Sequence, residues 1–270
     1  MKFSLQTLWI MLIGLCFISC NKSDIDRNKL LKSGSFFLES IFDYNQTRTE
    51  GIMYVSAFTG SDSDVTVYGL GANLYGDTAD WSTPKNGGTL TLGNKQINTD
   101  STQNYAYYYS AYHSNDPSLA SNFGNTISFD ISGNSTAGIP NISGSIYSPD
   151  LIFMTQPTGS LLDISSDFDI DWNSDAANPN NIFIIIEYLG SASQRQDPSL
   201  PGSNFYLIYE TADDGSHTVN SLDLADFPVD GITQIHIVRG NTAIEEDASG
   251  EHKYEFLTYS KYRAEFIITE

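Results

Sequence analysis

From Ser33 onward, short runs of β-branched and aromatic residues alternate with clusters of Gly, Asn, Asp, Ser and Pro. That rhythm is the strongest constraint on this chain, because residues that favour a pleated strand recur with turn chemistry between them. The first set of expected strands is Phe36–Tyr44, Ile52–Phe58, Val65–Leu70, Thr89–Leu92, Tyr105–Tyr112, Thr126–Ile131 and Leu151–Thr155. The second is Phe168–Trp172, Ile182–Leu189, Phe205–Tyr209, Ser216–Val219, Ile232–Val238, Tyr254–Tyr259 and Tyr262–Thr269. Windows with helical periodicity are nearly absent. The exception runs from Ser221 to Phe227, where Ser221 can cap and Pro228 stops the turn. The expectation is an all-β chain.

About fourteen strands exceed one small sandwich and suit two of about seven. The cut is expected beside Pro157-Thr158-Gly159-Ser160, giving β-sandwich domains over 34–156 and 157–270; Pro149 or the stretch from Gly133 to Ser148 is an alternative cut. At 270 residues and 40% hydrophobic, the chain can bury a core without help. Acidic residues outnumber basic ones 33 to 13, a formal charge of −20. Such a surface repels nucleic-acid phosphates and anionic headgroups, so neither nucleic acid nor a flat membrane-bound pose is expected of the folded part.

Leu8 to Ile18 is almost wholly apolar and follows Met1 and Lys2. Its eleven residues span only about half a bilayer core, which fits a secretory h-region better than a membrane helix. Phe17-Ile18-Ser19-Cys20 follows. This segment resembles a bacterial lipobox, with Phe17 standing where that family prefers Leu. The resemblance implies a signal peptide over 1–19, cleavage before Cys20, and diacylglycerol on its thiol. The alternative is an ordinary signal peptide with an incidental cysteine. Cys16 would leave with the signal, so the mature chain would hold no second thiol for a disulfide, a thiolate metal site or a redox motif. Residues 20–33 read as a lipidated tether. Asn21 to Asp26 loosely resembles the surface-export signals of Bacteroidetes-type lipoproteins.

Phe168-Asp169-Ile170-Asp171-Trp172 alternates strictly, and a loop leads from Asn173 to the apolar run Ile182–Tyr188. Over roughly 150–270 this pairing is similar to the second and third strands of immunoglobulin-like and fibronectin type III domains, where a Trp ends the second strand. The corner Tyr usual in that family is not apparent, and the 190–204 insert is long. The resemblance implies binding, spacing or adhesion rather than catalysis.

Each constellation that could carry chemistry has a plainer reading beside it. Asp167, Asp169 and Asp171 could be paired acids for glycoside hydrolysis, but strand period places them together on one solvated face. Asp171, Asn173, Asp175, Asn178, Asn180 and Asn181, or Asp62 and Asp64, could hold a structural calcium, yet Asp and Asn are also ordinary turn residues. His113, His217, His236 and His252 stand at no metal spacing, and His236 is expected at a surface or edge. The nucleophile elbow, P-loop and dinucleotide fingerprints are missing; Gly69-Leu70-Gly71 lies between β runs. Tyr105, Tyr107 and Tyr109 share one strand face, and Trp81 lies in a polar, turn-rich stretch. Flat rings beside amides and carboxylates suit sugar stacking or a protein interface; core packing is the alternative.

The expectation is therefore a lipid-anchored outer-membrane protein that binds or scaffolds and performs no catalysis, with no cofactor beyond the lipid on Cys20. Its partners would be the membrane through that anchor and an envelope or surface protein. The second reading is a glycan-binding accessory of a nutrient-uptake system, using Trp81, Tyr105, Tyr107 and Tyr109.

Overall fold

The computed structural model describes residues 49–61, 63–75, 85–93, 95–97, 117–191 and 205–270. Its strands are β1 (Gly51–Gly60), β2 (Ser63–Leu74), β3 (Leu90–Leu92), β4 (Lys95–Ile97), β5 (Asn125–Ile131), β6 (Ile142–Ser148) and β7 (Met154–Gln156). They continue as β8 (Leu161–Asp163), β9 (Phe168–Trp172), β10 (Ile182–Ser191), β11 (Phe205–Thr211), β12 (Ser216–Val219), β13 (Gly231–Glu246) and β14 (Lys253–Thr269). One helical turn, α1 (Pro117–Ala120), precedes β5. The fold is all-β, as the run-and-turn rhythm requires. The expected strands Phe36–Tyr44 and Tyr105–Tyr112 lie outside the described residues.

One large sheet organises the molecule, in the order β11-β10-β13-β14-β1-β2, with β8 also pairing β14. β1 runs parallel to β14, from Ile52 opposite Glu255 to Gly60 opposite Arg263. Two small sheets cover the same face of it. The first, β4-β3-β5-β6, packs over β1, β2 and the start of β14. The second, β12-β9-β7, packs over β10, β13 and the end of β14.

Each small sheet closes its own apolar core. The first gathers Met53, Val55, Leu70, Leu74, Leu90, Phe129, Ile142, Tyr254 and Phe256, with the rings of Phe129 and Phe256 4.2 Å apart. The second gathers Ile170, Trp172, Ile184, Ile186, Ile235, Ile237, Phe266 and Ile268. Burial of about ten such side chains, at roughly 1.5–3 kcal/mol each, is the main favourable term in either half. The expected boundary beside Pro157 lies within this architecture rather than between separate sheets. β7 precedes it and pairs with β9, while Tyr254 and Phe256 join residues 53–146.

Strands β13 and β14 run past both cores, and their inward positions record the change of neighbour. Ile235 and Ile237 give way to Arg239 and Asn241 along β13; Phe266 and Ala264 give way to Ser260 and Thr258 along β14. Arg239 sits opposite Ser260 and Asn241 opposite Thr258, so a polar band crosses the sheet between the two apolar clusters.

Several expectations change in detail. Tyr254–Tyr259 and Tyr262–Thr269 form one strand, because Ser260 and Lys261 continue the pairing with Arg239 and Val238. β6 occupies part of the stretch considered as an alternative cut. The turn at Ser221–Leu224 is 3₁₀, and Asn220 rather than Ser221 caps it by accepting from the Leu222 N–H. Leu224 and Phe227 anchor that turn in the second core. Gly71 of β2 lies under the Tyr54 ring, which a methyl there would strike. That close approach explains one glycine of Gly69-Leu70-Gly71 without invoking a nucleotide.

Candidate functional site

The polar band holds a densely bonded cluster. Arg239 is fully buried. Its Nη2 donates to Asp213 Oδ1 at 2.7 Å and to the Asn173 carbonyl, and its Nη1 donates to the Asp150 carbonyl at 3.2 Å. Nε lies 2.6 Å from Asp213 Oδ2, close enough for an ion pair but not aligned as a hydrogen bond. Trp172 Nε1 and Asn178 Nδ2 each donate to Asp213 at 3.0 Å. Asp175 accepts from the Tyr147 hydroxyl and the Asp150 N–H, tying the two small sheets together. Burial, Asp175 and Asp150 push the Tyr147 hydroxyl up to about 12. Apart from Asn178 Oδ1 and the misaligned Arg239 Nε, the polar side-chain atoms of this cluster face protein partners, so it joins the cores.

That bonding engages several of the residues weighed for calcium. Asn173 Oδ1 accepts from the Phe153 N–H and its amide donates to the Leu151 carbonyl. Asn180 donates to Asn241. These oxygens and amides fold the loop. Asp62 and the side chain of Asp64 lie outside the described residues. Asp169 and Asp171 accept from Thr218 and Ser216 across the β9–β12 pair, and Asp167 accepts from the Ser221 N–H, as a solvated face does. No group of three His, Cys, Asp or Glu able to hold a metal occurs among the described residues.

His236 corrects an expectation. It lies on central β13 between β10 and β14, is only 7% exposed, and faces away from both cores. Its Nε2 is 3.4 Å from Glu187 Oε2. Burial outweighs Glu187 and holds its pKa below the ordinary imidazole value. On the same face, Lys261 and Arg263 stand over Phe58, 6.0 and 5.3 Å from the ring centre. Burial first, then the Arg263 charge, pulls Lys261 down to about 8.

The concave candidate lies beside the start of β14. The turn after β5, Ser132 to Asn141, and His252 line an open bowl of about 560 Å³. Asn134 shapes its wall: Oδ1 accepts from the N–H groups of Thr136 and Ala137, closing one 3₁₀ turn. Gly133 has φ +83°, and a side chain there would strike Pro140 and Asn141 backbone, so only glycine fits. His252 Nδ1 is 2.6 Å from Glu50 Oε2, and Glu50 is 7% exposed. This bond raises the His252 pKa above its ordinary value, with Asp247 and Glu251 adding to it. Burial and Glu50 raise Tyr254, whose hydroxyl stands 3.5 Å from the same carboxylate oxygen.

Cys20, Trp81, Tyr105, Tyr107 and Tyr109 all lie outside the described residues. Sequence reasoning passed over Arg239, although a cation in register with Ile235 and Ile237 marks a buried pair. It also passed over the bowl, since Gly133-Asn134-Ser135-Thr136-Ala137-Gly138 reads only as a turn. Among the described residues no helix is long and apolar enough to cross a membrane.

Compared with known proteins, the chain matches no family model, no curated protein and no solved structure.

Proposed function

We propose that this chain is a lipid-anchored cell-envelope protein with a binding or scaffold role and no catalytic one. The observation that carries the reading is the apolar run Leu8 to Ile18 ending in Phe17-Ile18-Ser19-Cys20, followed by a polar tether. An all-β body with a densely bonded polar band between two cores supports it, since such a body holds a surface rigidly at the end of a tether. The immunoglobulin-like reading of residues 157–270 belongs to the same proposal, with adhesion or spacing as its implied role. The test is membrane partition of Cys20→Ala against the unaltered protein. A soluble mutant supports the anchor; a mutant that still sediments with membranes overturns it.

The second reading, a glycan-binding accessory lipoprotein, is favoured by a separate observation: the bowl beside His252 is lined by amides and hydroxyls.

A further inference from the structure

A concavity becomes a binding site when its polar atoms are left uncommitted by the fold. In the bowl, Asn134 uses Oδ1 for the turn, leaving its Nδ2 donors. Asn141 uses Nδ2 on the Ile131 carbonyl, leaving Oδ1 as an acceptor. Ser132 Oγ accepts from the Thr89 N–H, leaving its own hydrogen to donate. Ser135 is exposed on the rim. His252 has Nδ1 fixed by Glu50, leaving Nε2 as the open ring nitrogen. Donors and acceptors are thus mixed, and those of Ser132, Asn134, Asn141 and His252 are each oriented by a bond made on the far side.

The Glu50–His252 pair is the second observation. Burying a carboxylate beside a half-open imidazole is a poor way to gain stability, because the desolvation cost rivals the attraction. What the pair does is fix the ring. A carboxylate behind an imidazole sets which nitrogen faces outward, as in metal and catalytic sites. The charges around the bowl, Glu50, Asp247 and Glu251, are acidic and disfavour an anion.

We infer that this bowl binds a neutral, hydroxyl-rich ligand, a carbohydrate chain or sugar end, through His252 Nε2 and the free amide and hydroxyl atoms of Asn134, Asn141 and Ser135. Adjacent sugar hydroxyls each donate and accept, which matches this alternation of partners. Pro140, half-buried on the wall, supplies an apolar patch for the sugar's C–H face. The inference deepens the glycan reading, does not depend on the anchor, and uses neither Trp81 nor the tyrosine strand.

The test uses the full chain in a sugar-free detergent. Malto-, xylo-, manno- and chito-hexaose, sorbitol and a galacturonate hexamer are titrated singly, by calorimetry and by the His252 ring signal in NMR. At least one neutral hexasaccharide should bind and move that signal. Ser135→Tyr, which fills the rim, should weaken it roughly tenfold or more, with an unchanged melting temperature. Thr136→Tyr, on the same exposed turn but outside the bowl, should leave it unchanged. His252→Ala should weaken it as Ser135→Tyr does. Three results each overturn the proposal: no neutral sugar binds, only galacturonate binds, or binding persists in Ser135→Tyr with the His252 signal unmoved. Loss of membrane partition in Cys20→Ala leaves these readouts untouched, so the two proposals fail separately.

Discussion

Two carboxylate–cation pairs draw their cations from the same long hairpin, each closing at 2.6 Å, and differ in their surroundings. Arg239 and Asp213 are sealed in the band between the cores, with Trp172, Asn178 and two carbonyls completing their bonds. Glu50 and His252 stand at the edge of the first core, one buried and one half-open, with a ring nitrogen left over. The comparison teaches that saturation, more than burial, separates a joint from a site. A buried polar cluster with nearly every valence filled specifies one packing. A pair with a free valence beside a concavity specifies an orientation for something else.

The largest effect should come from breaking the sealed pair. Arg239→Met leaves the Asp213 carboxylate buried without a cation and should cost about 3–5 kcal/mol in urea unfolding. A loss below about 1 kcal/mol would show that water reaches the band, ending the contrast. The double variant with Asp213→Asn should recover part of the loss. Next, Trp172→Phe keeps the ring in the second core but drops the 3.0 Å bond to Asp213. It should cost about 1–2 kcal/mol in the same assay.

Glu255 supplies an intermediate case, a buried acid whose burial raises its pKa to about 7. An acid raised on folding stabilises the fold at low pH. That contribution is lost as pH climbs from the ordinary value of 4.5 through about 7, and stability is then flat. Glu255→Gln should abolish this decline and be more stable at pH 8 by about 1–2 kcal/mol. Thermal melts across pH 4 to 8 check it, and parallel curves for both proteins would refute it.

The open pair should be the weakest. His252 has a raised pKa, so its contribution is complete below the ordinary imidazole value of 6.5. It fades as pH rises through the folded value. His252→Gln should therefore lower stability only on the acid side, by under about 1 kcal/mol. An effect matching Arg239→Met would make His252 a joint as well.

Much of the architecture was legible because β chemistry is local. Phe168–Trp172 and Ser216–Val219 lie where alternation and turns put them, and β-branched Ile182–Ile186 could hardly be anything else. What was hidden depends on neighbours distant in sequence. Ser260 and Lys261 looked like a break between two strands, but Arg239 and Val238 opposite them carry the ladder through. His236 looked like an edge residue because it alternates with Gln234. Its burial comes from β10 and β14 on either side. The bowl was illegible for the same reason, since Glu50 and His252 meet only when β1 and β14 lie side by side.

The parallel pairing of β1 with β14 also sets an order of events. β14 lies inside the large sheet, between β13 and β1, and supplies side chains to both cores. A chain that emerges amino end first therefore completes its first core only once Phe256 is free, and its second only once Ile268 is. Earlier strands can form hairpins, but Met53 and Phe129 wait for Phe256, as Ile235 and Ile170 wait for Phe266. Such distant closure is slow. Were the chain threaded through a membrane, as the proposed function implies, that delay would be useful: the polymer would stay loose in transit and lock only after β14 had crossed.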